Sequence, residues 1–226
     1  MFRQGSKFTA SQNEAGRFGV SHFYNRVERA AYIATRYRHF LTGSVLDVGC
    51  SGKHLKPYIQ GEYVGVDLYD GADLVINFEH EPLPFDSNRF SCVVCTEVLE
   101  HVDNLHYLFK EIIRVSSRYV ILSLPNCWGL FWKNILWGRG EAKYYGLPLD
   151  PPKDRHKWFF NYEQAQDFIY GMAARNSARV LSCKPYLAQC RPLKYFFGRI
   201  VYGKDKRYYN VFASSLWAVL EKHQEC

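Results

Sequence analysis

The run Val45-Leu46-Asp47-Val48-Gly49-Cys50-Ser51-Gly52-Lys53-His54-Leu55 limits the fold more than any other stretch. Val45, Leu46 and Val48 suit a buried strand, and Gly49 ends it. Glycine has no Cβ and takes φ > 0, so the chain can turn sharply there and a ligand can approach the backbone closely. Asp47 stands inside the apolar run, just before the turn. At the carboxyl end of a parallel strand such a carboxylate faces the crevice where open α/β sheets bind ligands. Val64-Gly65-Val66-Asp67 repeats the pattern further on. An acid at that point can accept hydrogen bonds from ribose hydroxyls.

The remaining periodicity fits around these two strands. Phe23, Val27, Ala30, Ala34, Tyr37 and Leu41 step by three and four, which predicts a helix with one apolar face. Arg26, Arg29, Arg36 and Arg38 lie mostly off that stripe and are expected on its solvated side. Further strands are expected at Leu74–Ile76, Phe90–Thr96 and Tyr119–Leu124, with a helix from about Asn104 between the last two. Strands alternating with helices argue for a doubly wound parallel sheet. After Cys127 the alternation breaks. Trp128, Phe131, Trp132, Ile135 and Leu136 share one helical face. A loop with Pro148, Pro151 and Pro152 follows. Asn161 then caps a helix running to about Arg175. Val180–Cys183 is expected as the sixth strand, Leu193–Tyr202 as a short helix and Val211–Leu220 as the seventh strand. The chain, 226 residues long, fits one domain, residues 1–226. Residues 1–19 are polar and are expected to form a loose arm.

Pro82-Leu83-Pro84-Phe85 precedes the strand ending at Thr96, and Glu97-Val98-Leu99-Glu100-His101-Val102 follows it. With VLDVGC and the strand ending in Val66-Asp67, these motifs resemble the class I S-adenosylmethionine-dependent methyltransferases, in particular their type 11 small-molecule branch. The resemblance is close from Ser44 to Asn126 and holds only in outline outside it. It implies a Rossmann-like, mostly parallel seven-stranded sheet with an antiparallel hairpin of strands 6 and 7. Helical lid insertions would fall at residues 127–160 and 187–209. It also implies S-adenosyl-L-methionine as cofactor. The turn Gly49, Cys50, Ser51 and Gly52 would meet the methionine tail, and Asp47 its ammonium. Asp67 would bind the ribose, Leu68 would pack on the adenine, and Asn77 and Phe78 would contact the adenine edge. Thr96 and Glu97 would line the floor near the reacting methyl. One departure stands out. The family's loop is usually GxGxG, and here Ser51 and Lys53 occupy the second and third glycine positions. Lys53 is expected to point outward, or toward an anionic substrate or the cofactor carboxylate.

Other nucleotide motifs are excluded. A P-loop needs G-x-x-x-x-G-K-[ST], and His54 follows Gly52-Lys53. The dinucleotide fingerprint G-x-G-x-x-G is absent as well. The [DNS]PP[YF] signature of exocyclic-amine methyltransferases does not follow the fourth strand, where Thr96-Glu97-Val98-Leu99 stands. If the acceptor needs a general base, His101 and His156 are the candidates. His101 could instead cap the following helix, and His156 could belong to a solvated charge cluster.

The net charge of +7 points to an anionic partner or to a merely basic surface. The seven cysteines form no metal or disulfide framework. Cys92 and Cys95 lie three apart in a strand and so face opposite ways. No metal is expected. The sequence shows no secretion signal and no apolar run near the ~20 residues of a membrane span, so a cytoplasmic location is expected. Aromatic and basic residues alternate in Trp128–Trp137 and Leu193–Tyr209. This pattern suits a cover over the active site or a peripheral membrane contact. The acceptor is then a small molecule or a lipid/glycan-type compound. The alternatives are an RNA methyltransferase, or a non-catalytic module that only binds S-adenosylmethionine.

Overall fold

Seven strands make one sheet in the order β3-β2-β1-β4-β5-β7-β6. This computed structural model describes residues 23, 25–140, 144–152, 154–187, 198–203 and 205–223. The expected arm at residues 1–19 lies outside them, as does residues 193–197 of the expected short helix. The strands are β1 (Val45–Val48), β2 (Tyr63–Asp67), β3 (Leu74–Val75), β4 (Phe90–Thr96), β5 (Ser116–Pro125), β6 (Ala178–Tyr186) and β7 (Ser215–Lys222). The first five pair in parallel, and β7 runs antiparallel to both β5 and β6. The doubly wound sheet with its antiparallel edge hairpin is as the sequence predicts.

Alternation along each strand splits the core in two. Leu46, Val48, Val93, Cys95, Val120 and Leu122 face one side. There they meet α2 (Leu105–Val115) and α4 (Tyr162–Arg175). Val45, Cys92, Val94 and Ile121 face the other side and meet α1 (Arg26–Arg36). Cys92 and Cys95 thus lie in different cores, as the strand period of two requires. Burying a side chain such as Phe109, which is fully enclosed, contributes about 2–3 kcal/mol.

Local chemistry fixes the helix starts. Asn25 accepts from the Glu28 amide to open α1. Asn161 and Gln164 exchange side chain–backbone bonds in a full capping box at α4. Four expectations shift. The α1 stripe turns toward Ala30, Ile33 and Tyr37, and Val27 is half exposed. Ile76 falls outside β3, although its amide still bonds to the Asp67 carbonyl. The helix α3 (Cys127–Leu136) forms, and Trp128, Ile135 and Leu136 of its apolar face are exposed and not packed as a cover. Val211 and Phe212 end the helix α5 (Lys206–Phe212), so β7 begins later, at Ser215. Asp205 caps α5, and Tyr208 buries its ring there. A side-chain period alone cannot tell such a short helix from a strand start. Asn126 ties this region to the end of β5, because its amide donates to the Tyr209, Asn210 and Ala213 carbonyls. Among the described residues, no helix is long and apolar enough to cross a membrane.

Candidate active site

The carboxyl ends of β1, β2 and β4 open into a cavity of about 490 Å³. Gly49, Ser51, Asp67 and Leu68 form one side of its lining, and Asn77, Phe78 and Glu79 continue it. Glu97, Val98, His101, Asp154, Arg155 and Lys157 close the other side. The cavity occupies the crevice where an open α/β sheet is expected to bind its ligand.

The turn after β1 is held at three points. Gly49 takes φ +76°, and a Cβ there would lie 2.2 Å from Val98 Cγ2, so no other residue fits. Ser51 and Lys53 also take positive φ, 50° and 53°. They keep the glycine-like backbone that the loop pattern demands, at a cost of about 1 kcal/mol each. Side-chain bonds hold them there. Arg26 donates to Ser51 Oγ at 2.6 Å, and Lys53 Nζ pairs with Asp73 at 2.9 Å. Lys53 therefore pairs with a neighbouring carboxylate and lines neither the main cavity nor the small one beside Asp47.

Asp67 closes β2 and turns its carboxylate back into the loop. Oδ2 accepts from the Ser51 amide at 2.7 Å, and Oδ1 from the Leu68 amide at 2.7 Å and the Tyr69 amide at 3.4 Å. The oxygens are fixed by backbone and keep lone pairs for a hydroxyl donor. Asp47 faces a different way. It accepts from the Tyr63 hydroxyl at 2.8 Å and lines a small cavity with Arg26 and Arg29. Burial raises its pKa to about 6, against the lowering effect of the Tyr63 bond and Arg29.

The other expected residues divide. Leu68, Asn77, Phe78 and Glu97 reach the main cavity. Asn77 Oδ1 already accepts from the Glu79 amide, which leaves one lone pair and the amide N–H groups. Cys50 and Thr96 line only the small cavity beside Asp47. Cys50 packs against Gly65, where a Cβ would lie 2.8 Å from its Sγ. Gly52 lines neither cavity and sits against His54. Glu97 takes φ 58°, a left-handed conformation rare for glutamate and a form of strain found at functional sites. Burial pushes its pKa up, and Arg29 and its Ser123 bond pull it back.

His101 lines the cavity, in a 3-10 turn (Leu99–His101), and does not cap α2. Glu79 takes that place by accepting from the Asp103 and Asn104 amides. Lys157 clasps Glu79 and, at 2.8 Å, Asp103. Burial opposes the charge on Glu79, but Lys157 and these amides hold its pKa below the usual range. His156 is buried behind His101, outside the cavity lining, with ring centroids 4.6 Å apart. Burial and then His101 lower its pKa to about 4, so it is a weak base.

Sequence reasoning missed Arg26 and Arg29 as lining of the cavity, although Arg26 remains exposed and Arg29 is partly buried. They lie one turn apart on α1, pointing past its N-terminus toward the loop. Their spacing at i, i+3 was the available signal. Glu79, Glu100, Asp154 and Lys157 were missed as partners too. They meet only through tertiary packing.

A family model described as a methyltransferase domain matches residues 22–166. No curated protein matches the chain. Among solved structures, a SAM-dependent methyltransferase from Archaeoglobus fulgidus aligns at 15% identity with a TM-score of 0.56, covering 88% of this chain and 95% of that one. Magnesium protoporphyrin IX methyltransferase from Synechocystis PCC 6803, with bound SAH, aligns at 15% identity with a TM-score of 0.53, covering 87% and 83%. An S-adenosylmethionine-dependent methyltransferase from Mesorhizobium loti aligns at 12% identity with a TM-score of 0.51, covering 87% and 100%. At these identities the likeness is one of fold.

Proposed function

This chain belongs to the methyltransferase-domain family, and from that premise we propose that it moves the methyl group of S-adenosyl-L-methionine to a small-molecule or lipid/glycan-type acceptor. The observation that carries the reading is Asp67, a carboxylate fixed by three backbone amides at the rim of a cofactor-sized cavity. The bound cofactor supplies a methyl already activated on a sulfonium.

The chain's own residues bind and align. Asp67 accepts from the ribose hydroxyls, and Leu68 and Phe78 flank the adenine with Asn77 at its edge. The backbone at Gly49 and Ser51 leaves room for the methionine tail. Asp47 takes the tail ammonium, directly or through water, and Arg26 and Arg29 supply cationic partners for its carboxylate. Glu97 and His101 border the acceptor side. Holding acceptor and sulfonium in line supplies much of the rate in such a displacement.

Two features favour an amphiphilic acceptor. Beside the main cavity lies an apolar one of about 130 Å³, lined by Leu99, Leu105, Leu124, Trp158, Phe160 and Phe168 among others. On the surface, Ile135, Leu136 and Trp137 are exposed at the end of α3, and Ile200 and Val201 in the helical turn 198–202. Both segments pack on Phe212, through Trp132 and Tyr202. Apolar side chains on a basic protein suit a peripheral contact with anionic lipid.

The test is methyl-labelled S-adenosylmethionine incubated with the protein and a cell extract, then separated into lipid, aqueous small-molecule and RNA fractions. Label in the lipid or small-molecule fraction is expected. Label confined to RNA would overturn the acceptor assignment. Sedimentation with anionic vesicles at low salt tests the membrane contact, and a protein that stays in the supernatant would refute it.

A further inference from the structure

We propose that Glu100, His101 and His156 form a binding site for one divalent transition-metal ion of the zinc class. One donor atom from each residue lies within 4.8 Å of the other two. Two imidazoles and a carboxylate make a donor set that suits Zn²⁺, Co²⁺ or Fe²⁺ better than Mg²⁺ or Ca²⁺, which favour all-oxygen shells. The site revises the sequence expectation that no metal is bound.

Glu100 provides the independent observation. Its side chain is 0% exposed. No hydrogen bond of normal geometry reaches either carboxylate oxygen. It borders the apolar cavity, among leucine and phenylalanine side chains. His101 Nε2 lies 3.7 Å from Oε1, and the Arg29 charge acts on the carboxyl from further away. A carboxyl group so placed is either protonated and unsatisfied or balanced by a cation.

The two histidines are oriented as ligands would be. Tyr145 Oη lies 3.0 Å from His156 Nδ1, 2.9 Å from the Trp158 carbonyl and 2.8 Å from Cys127 Sγ. With the Tyr145 proton on the Trp158 carbonyl, Oη accepts from His156 Nδ1–H, and the Nε2 lone pair is left for a cation. The Tyr144 ring stacks on the His156 ring at 4.4 Å with an interplanar angle of 2°, which fixes its plane. On His101, the Asp154 carboxylate lies 2.5 Å from Nδ1, on the ring edge away from Glu100, without the angle of a hydrogen bond. Carboxylate and hydroxyl groups behind ligating histidines are the usual supports of a metal site. Because His101 lines the main cavity, an ion held here adjoins the acceptor side, and water or an acceptor oxygen can complete its coordination.

The experiment uses full-length protein treated with a chelator and then titrated with Co²⁺ alone by visible spectroscopy and with Zn²⁺ alone by calorimetry. One equivalent of each ion is expected to bind, and Mg²⁺ to bind far more weakly. Glu100→Gln and His156→Gln should each weaken binding by at least about 10- to 100-fold, the loss that removing even an outer partner of a ligand brings. Circular dichroism and S-adenosylhomocysteine binding establish that the variants are folded. These readouts are independent of methyl transfer, so the metal site can fail while the enzyme reading stands. No saturable binding to folded wild type would overturn the proposal. So would affinity retained in both variants, or a thiolate charge-transfer band that places the ion on cysteine.

Discussion

Asp67 lines the main cavity and Glu100 the apolar one, and the two carboxyl groups are held in opposite ways. Asp67 ends β2 with three backbone amides directed at its two oxygens. Glu100 follows β4, fully enclosed, with no hydrogen bond of normal geometry to either oxygen. The first side is built by one turn of chain and one strand end, so its geometry is local. The second is assembled from the 3-10 turn after β4 and from residues 144–152 and 154–158, where the Lys157 amide donates to the Glu100 carbonyl. Local backbone determines the Asp67 side, and tertiary packing determines the Glu100 side. A ligand on the first side therefore meets a preorganised site, whereas the second keeps unsatisfied polarity in reserve for a proton, a cation or a substrate.

Breaking the preorganised side should have the largest effect. Gly49→Ala adds a Cβ at 2.2 Å from Val98 Cγ2 and a strained positive φ. Together these should cost about 2–4 kcal/mol in urea unfolding, and cofactor binding should vanish. A companion Val98→Ala substitution should recover part of the stability but not the φ penalty.

Acidity should separate the two sides next. Asp47, with a folded pKa of about 6, must be ionised to hold an ammonium. Affinity for the cofactor product should therefore fall about tenfold per pH unit below that value. In Asp47→Asn this pH dependence should be absent. For stability the sign is reversed. The folded state binds the Asp47 proton more tightly than the unfolded state, so stability declines as pH rises from about 4 to about 6.

Lys157→Met should have a smaller effect, since its ion pairs with Glu79 and Asp103 are partly screened by solvent. We expect a loss of about 1 kcal/mol in thermal unfolding, faster proteolysis within residues 144–158, and little change in cofactor affinity. The smallest effect is expected from Glu100→Gln in metal-free protein. Burial, and then the charge of Glu97, push the Glu100 pKa well up. Wild-type stability should accordingly decline as pH rises above the ordinary glutamate range. The glutamine variant should lack that slope and match wild type within about 1 kcal/mol at low pH.

The same contrast explains what could be read from sequence. Gly49, Asp67 and the strand ends were legible because each depends on a few neighbouring residues and a period of two or 3.6. The two glycine replacements in the loop, Ser51 and Lys53, left its backbone unchanged, since Arg26 and Asp73 hold their side chains. Arg26 and Arg29 were misplaced because a helical wheel shows which residues leave the core, not which of them face a crevice. Cys50 and Gly52 belong to the right turn, but Cys50 faces β2 and Gly52 faces His54. His101 was placed in the cavity, yet its partners Asp154, His156 and Glu100 meet it only through tertiary packing. The start of β7 was misjudged because Asp205 and the Asn126 amide stabilise a short helix that takes in Val211 and Phe212, the first residues of the expected strand.

The central claim is that Asp67 anchors S-adenosylmethionine. Its most direct test is calorimetric titration of wild type and Asp67→Ala with S-adenosylhomocysteine. The account predicts one micromolar-range site in wild type and a loss of about 10- to 100-fold in the variant, as expected for removal of a charged hydrogen-bond acceptor. Folded wild type that gives no binding heat, or a variant that binds as tightly as wild type, would contradict it.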